Sequence, residues 1–220
     1  MSKVKVPGFL SSRLLAVVLA LGMGGGIYVA DSGLLQVPAS ELQQAQADPY
    51  VQAVLADKST SDAVKLAMVM GHFYESSGKH IGTAYVDTLG RGQPLTVCNG
   101  ITGAGVAADR WYSPADCYQL ERGRYLAAKR EAARLVRGWG ALGVMTQAVV
   151  LDFIHNKGAG ALATSTLLRK LNVGDASGAC AENPRWNKGT VKGMQKVLPG
   201  LQLRGDANGE ICTWRVEPAA

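Results

Sequence analysis

Glu75 closes an apolar stretch, AVKLAMVMGHFYE, and stands directly before a segment punctuated by Gly78 and Gly82. A carboxyl group at such a junction sits at the edge of a cleft, where partial desolvation can raise proton affinity and suit a group to acid–base work. On residue type alone the alternative is a solvated surface glutamate, because Glu is seldom buried without a partner. The other reactive side chains narrow the chemistry. The three histidines, His72, His80 and His155, are scattered, and no CxxC or His/Cys cluster has the spacing of a metal site, so neither metal nor cofactor is expected. The four cysteines, Cys98, Cys117, Cys180 and Cys212, are even in number and absent from the first 97 residues. They allow three disulfide connectivities, of which Cys98–Cys117 with Cys180–Cys212 uses the least chain, and they suit an oxidising compartment such as the periplasm.

The elements that must position these groups follow from periodicity and punctuation. Ser59-Thr60-Ser61-Asp62 supplies helix-capping residue types, and Leu66, Val69, Met70 and Phe73 recur at helical spacing, which predicts a helix ending near Tyr74 or Glu75. Between 83 and 102, β-prone runs at Ala84–Val86 and Leu95–Cys98 flank a Gly/Pro turn and predict a small hairpin or sheet. Ser113-Pro114 with Asp116 opens a long helix running towards Gly138. VMTQAVVLDFIHN predicts another helix, closed by Gly158 and Gly160, and shorter helices are expected near 164–172 and 185–197.

The chain has 220 residues, 47% of them hydrophobic, enough for one ordinary domain plus a targeting segment. Its net charge of +6 favours a polyanionic partner without choosing among nucleic acid, acidic lipid and envelope polymers. No motif supports phosphate-loop or nucleic-acid chemistry. Lys3, Lys5 and Arg13 precede the apolar run LLAVVLALGMGGGIYVA, residues 14–30, in the charge-then-hydrophobic order of an export signal. That run falls short of a comfortable membrane span, and Gly22, Gly24, Gly25 and Gly26 weaken it further. Tyr28-Val29-Ala30 makes a poor cleavage site, which favours retention over removal. Residues 31–60, broken at Asp48-Pro49, read as short helices or a linker and are expected to form a tether. A domain spanning 61–220 follows.

The segment HFYE...AYVDTLG...LTVCNGIT resembles the phage-type lysozymes of glycoside hydrolase family 24. The family places a Glu at the end of its first helix, then an Asp, then a Thr; the matching positions here are Glu75, Asp87 and Thr96, with Tyr85, Gly90, Cys98 and Gly100 in step. The blocks Gln147–Asp175 and Arg185–Leu201 resemble the family as well, so the likeness spans about 63 to 212. Both the Glu75–Asp87 and Asp87–Thr96 intervals are three residues longer than the usual pattern, which implies small insertions within SSGKHIGT and LGRGQP. Insertions in loops lengthen turns rather than displace functional groups. Asn99-Gly100-Ile101-Thr102 also lacks the histidine common after the family's cysteine.

The resemblance implies an α+β, mainly α, lysozyme-like fold and cleavage of a β-1,4 glycosidic bond in peptidoglycan. Glu75 would protonate the leaving oxygen, Asp87 would position water, and Thr96 would help place that water or the sugar. Inversion would then need the two carboxyl groups about 6.5–9.5 Å apart. Gln147 and Asn156 match positions lining the family's cleft, where their amides would bind sugar groups. The glycine-rich, uncleaved N-terminal run resembles the signal-anchor-release endolysins. It implies residence in the host inner membrane facing the periplasm, followed by release as a monomer. From the residues alone, Asp87 also suits a turn and Thr96 a plain strand position. Two rivals stand beside this reading: a lytic transglycosylase, which needs a single acid, and a non-catalytic envelope-binding or membrane-anchored protein.

Overall fold

The computed structural model describes residues 6–20, 27–30, 33–34, 38–88, 92–191 and 193–217. The chain opens with helix α1 (Gly8–Ala20), strands β1 (Ile27–Ala30) and β2 (Gly33–Leu34), and helices α2 (Ala39–Ala47), α3 (Pro49–Ala56) and α4 (Asp62–Ser76). Strands β3 (Tyr85–Val86), β4 (Leu95–Val97) and β5 (Ile101–Thr102) lead into the long helix α5 (Pro114–Leu135). Then come α6 (Val144–Lys157), α7 (Ala159–Ala163), α8 (Thr166–Leu171) and α9 (Ala176–Cys180). The hairpin β6 (Lys188–Val191) and β7 (Met194–Val197), α10 (Pro199–Ile211) and β8 (Arg215–Glu217) follow among the described residues.

Helices α4 and α6 form the centre. Leu66, Ala67, Met68, Val69 and Met70 of α4 are buried, as are Ala148, Val149, Val150 and Leu151 of α6. Both helices are therefore enclosed on most sides rather than amphipathic, as core helices are. Helix α5 begins with a capping box, in which the Ser113 hydroxyl accepts from the Asp116 N–H and the Asp116 carboxylate accepts from the Ser113 N–H. Its Tyr118, Tyr125 and Ala132 seal the core.

The N-terminal residues are built into this core. Leu10, Leu14, Val17 and Val18 of α1 are buried, and so are Tyr50, Val51 and Val54 of α3. Residues 38–60 of the stretch expected as a tether thus carry two helices, one of them packed inside the domain. The apolar run at 14–30 is not one continuous element, since α1 ends at Ala20 and Ile27–Ala30 pairs as β1 with β2 and β8. Its glycines, 22 and 24–26, lie outside the described residues. At 13 residues α1 is about 20 Å long. No helix among the described residues is long and apolar enough to cross a membrane.

The expected helix at 185–197 is corrected by the structure. Lys188–Val191 and Met194–Val197 pair as the β6–β7 hairpin, and the helix follows it as α10. Gly193 takes φ +77° at the turn, Gly189 packs against Leu198 where a Cβ would collide, and the β-branched Val191 and Val197 sit in the strands.

Candidate active site

Glu75 occupies the last turn of α4. Ser77 in the left-handed region (φ 55°) and Gly78 (φ 72°) end the helix behind it, leaving the carboxylate 34% exposed at the helix end. Its Oε1 accepts a hydrogen bond from Arg204 Nη1 at 2.7 Å. Arg204 projects from α10, and its Nε and Nη2 donate to the two oxygens of Asp152 at 3.0 and 2.7 Å. Asp152 is 0% exposed within α6 and also accepts from Asn208 Nδ2 at 2.7 Å. The Tyr74 hydroxyl donates to Asn208 Oδ1 at 2.8 Å, and the Tyr74 ring lies 4.8 Å from the guanidinium carbon. Burial alone would lower the proton affinity of Arg204, yet the carboxylates of Asp152 and Glu75 outweigh it and hold the guanidinium protonated. Burial likewise pushes the Tyr74 phenol well above its ordinary range. Asp152 already compensates the charge of Arg204 in a two-pronged pair, so Glu75 meets an oriented donor more than an uncompensated cation.

Asp87 and Thr96 meet in the β3–β4 hairpin. Thr96 pairs with Tyr85 across the strands, Asp87 N–H donates to Pro94 O at 3.0 Å, and Thr96 Oγ1 donates to the same carbonyl at 3.1 Å. One carbonyl therefore fixes both residues. Thr96 is 1% exposed, whereas Asp87 is half-buried. The two stretches read as insertions fall largely in connections: residues 77–82 follow α4, and the other joins β3 to β4, with Gly92 at φ 80° and Gln93 at φ 47°. Gly90 lies outside the described residues.

The two amides part company. Asn156 lines a small pocket with Asp152, Lys157, Trp186, Arg204 and Asn208, next to the group that holds Glu75. Gln147 donates its Nε2 to Trp139 O and Leu142 O, both at 3.0 Å, bracing the turn before α6. His155 stacks on Tyr125 at 4.5 Å, and burial lowers its proton affinity. Of the three connectivities open to the four cysteines, the one shortest in chain forms, Cys98–Cys117 with Cys180–Cys212. Cys98, Cys117 and Glu121 converge closely enough to suggest a ligand set, but the two sulfurs are bonded to each other.

Sequence reasoning missed Arg204, Asp152, Tyr74 and Asn208. A signal was present for one of them: Asp152 interrupts the apolar run QAVVLDFI, and an acid in a buried helix requires a cation or several donors. Nothing local marked Arg204 as that cation, because it comes from a helix 52 residues away.

Residues 79–208 match the family model for phage lysozyme. The match begins after Glu75, whose role is therefore argued from its geometry. A protein of Bacteriophage PS119 described as a SAR-endolysin is 34% identical over 130 residues, covering 59% of this chain and 72% of that one. Among solved structures, the active form of the P1 phage endolysin Lyz aligns with a TM-score of 0.60 at 16% identity, covering 74% of this chain and 90% of that one. An endolysin from the Escherichia coli O157:H7 phage FAHEc1 aligns with a TM-score of 0.59 at 18% identity, over 71% and 93% of the two chains. The likeness to these two structures is one of fold. Taken with a family match covering more than half of its residues, it shows that the chain belongs to the phage lysozyme family.

Proposed function

We propose that this protein is an endolysin that hydrolyses the β-1,4 bond between N-acetylmuramic acid and N-acetylglucosamine in peptidoglycan, lysing the host cell. Glu75 protonates the glycosidic oxygen as the bond to the leaving sugar breaks. Asp87 takes a proton from the water that attacks the opposite face of the oxocarbenium-like centre, and Thr96 helps seat that water. The observation that carries this reading is the anchoring of Asp87 and Thr96 on the single carbonyl of Pro94, while Arg204 clamps Glu75 at the end of α4. Asn156 lies close enough to that clamp to contact sugar substituents. Neither cofactor nor nucleic acid enters this scheme, and the released enzyme acts as a monomer.

The N-terminal segment has two resting places in this proposal. It first holds the protein in the inner membrane, facing the periplasm, and after release α1 becomes part of the domain. The support is the burial of Leu10, Leu14, Val17 and Val18 against the remaining helices. Release then completes a core that the membrane-held form lacks.

The test has two arms. Purified full-length protein should degrade murein, with Glu75→Gln reducing turnover by about 10²–10⁴-fold; a Gln variant as active as the parent refutes the assignment. Asp87→Ala should abolish hydrolysis, whereas retained activity with anhydro-sugar products identifies a transglycosylase. Fractionating cells before and after depolarisation, with muramidase assays on each fraction, tests location. Activity should move from the membrane to the periplasmic fraction, and activity that never leaves the membrane refutes release.

A further inference from the structure

The β6–β7 hairpin stands out from the domain, and the scheme above makes no use of it. Its base is fixed. Leu198 N–H donates to Asn187 O at 2.9 Å, Asn187 Nδ2 donates to Gln202 Oε1 at 2.6 Å, and Lys157 Nζ donates to Lys188 O at 3.4 Å. Beyond that base the strands open to solvent. Every residue of β7 is exposed, as are Lys188 and Thr190 of β6, while Gly189 and Val191 are half-buried. Gln195 Nε2 donates to Thr190 Oγ1 at 2.7 Å and ties the strands together, and Val191 pairs with Met194 at the tip.

The hairpin offers side chains of two kinds. Met194 is 56% exposed and Val197 53%, and with Leu203 of α10 they make three of the seven large hydrophobic side chains exposed among the described residues. Single exposed apolar residues are ordinary, whereas a concentration between 194 and 203 marks a surface that meets something. No Asp or Glu stands between Glu182 and Asp206, while Lys188, Lys192 and Lys196 recur every fourth residue. Arg185 is paired with Glu182 and Arg204 with Asp152, but Lys188 and Lys196 form no ion pair among the described residues. A dissolved polyanion would match the lysines and leave Met194 in water. A bilayer with anionic lipid matches both, because its phosphates attract the ammonium groups and its interface takes up apolar side chains to a depth of about 5–10 Å.

From these observations we infer that the β6–β7 hairpin docks tip-first on the surface of a bilayer containing anionic phospholipid, with Met194 and Val191 entering the interface. Lys196 lies two strand residues behind Met194 and Lys188 three behind Val191, about 7 and 10 Å of rise. A tip at the depth given above therefore holds both ammonium groups level with the phosphates. Lys192, next to the tip in sequence, reaches the same level by extending its stem outwards. The N-terminal helix cannot make this contact in the folded protein, since Leu10, Leu14, Val17 and Val18 are enclosed in the core. The hairpin is thus a membrane contact of the folded domain, distinct from the N-terminal segment.

The experiment uses full-length protein with vesicles of phosphatidylcholine, alone or mixed with phosphatidylglycerol. All four native cysteines are paired, so Met194→Cys supplies one thiol for an environment-sensitive dye. The dye should brighten and shift to the blue with the anionic vesicles but not the neutral ones. The same dye on Val173→Cys, an exposed apolar position outside the hairpin, should stay silent. In unlabelled protein, Lys188→Gln, Lys192→Gln and Lys196→Gln combined should weaken binding to the anionic vesicles about hundredfold. Met194→Ser should weaken it about fivefold, and both variants should keep the wild-type melting temperature and murein turnover. A silent dye at 194, an equal response at 173, or equal binding to the two kinds of vesicle overturns the docking. So does a lysine variant whose KM for murein rises while its vesicle binding is unchanged, because the positive charge would then serve the wall polymer.

Discussion

Arg13 of α1 is ion-paired with Asp48, whose carboxylate also accepts from the Tyr50 and Val51 N–H groups at the start of α3. A single side chain thus caps one core helix and secures another. Both partners are almost fully enclosed, with side chains 11% and 10% exposed, so removing one leaves a charge uncompensated. Arg13→Ala should cost about 3 kcal/mol. Asp48→Ala should cost about 1 kcal/mol more, because it also removes the cap. Thermal unfolding of the full-length variants measures both. Melting temperatures equal to wild type would mean that α1 contributes nothing to the folded domain.

Arg204 ties α10 to α6 and to Glu75 together. Arg204→Ala strands the Asp152 carboxylate where no water reaches it and should destabilise the fold by about 3–5 kcal/mol. It should also lower kcat, since Glu75 loses the donor at 2.7 Å that sets its orientation. Arg204→Met combined with Asp152→Leu removes both charges, and should recover most of the stability without recovering the activity. That split separates holding the fold from holding the acid. Recovery of both together would show that Arg204 acts only through stability.

A buried network behind the sheet should make stability respond to pH in two opposing ways. Tyr50 stacks on His72 at 4.1 Å and hydrogen-bonds to Glu121, while Glu121 accepts from Asn99 N–H at 3.1 Å and Asn99 Nδ2 meets His72 Nδ1 at 3.1 Å. Burial pulls His72 down from 6.5 to about 4 and pushes Glu121 up from 4.5 to about 6. As pH falls from about 6.5 to 4, the unfolded chain protonates its histidine before the folded one does, and stability is lost. As pH falls from about 6 to 4.5, the folded chain protonates Glu121 first, and stability is gained. The two contributions, about 3 and about 2 kcal/mol at full extent, largely offset each other. Relative to wild type, Glu121→Gln should therefore lose stability more steeply on acidification between pH 6.5 and 4. His72→Phe, which keeps the stacked ring, should gain between pH 6 and 4.5. Parallel melting curves for all three proteins across pH 4–7 would contradict both shifts.

How far the sequence reveals this molecule depends on the range of the interaction. Local signals carried well. The Ser113-Pro114-Asp116 start of α5, the end of α4 at Glu75, and the hairpin holding Asp87 and Thr96 were all legible, because caps, glycines and β-branched residues act within a few positions. The β6–β7 hairpin was misread as helix because Met194, Lys196 and Val197 are compatible with either period, and only the turn at Gly193 decides between them. The clamp on Glu75 was invisible for another reason. Its parts come from α4, α6 and α10, and a pairing between distant helices leaves no local pattern. Gln147, matched to a sugar-binding position, also donates its Nε2 to the carbonyls of Trp139 and Leu142, bonds that a glutamine at a helix start does not advertise.

The two disulfides close loops of different length and secure different parts of the enzyme, so their loss should separate stability from activity. Cys180–Cys212, with a sequence separation of 32, joins α9 to the residue after α10, the helix that carries Arg204. Cys98–Cys117, with a separation of 19, joins the end of β4 to the first turn of α5, next to Asn99 and two residues from Thr96. Loop entropy gives each a stabilisation of about 3–4 kcal/mol, slightly more for the longer loop. Replacing both cysteines of the Cys180–Cys212 pair with serine should lower the melting temperature more and disturb Glu75 through Arg204. The same change at Cys98 and Cys117 should lower it less and act on the hairpin, so the remaining activity should fall further than the melting temperature implies. Peptide mapping without reductant checks the pairing, and melting curves and murein digestion of each double variant check the consequences. A reductant that shifts neither melting temperature nor activity would show that these bonds do not hold the site together.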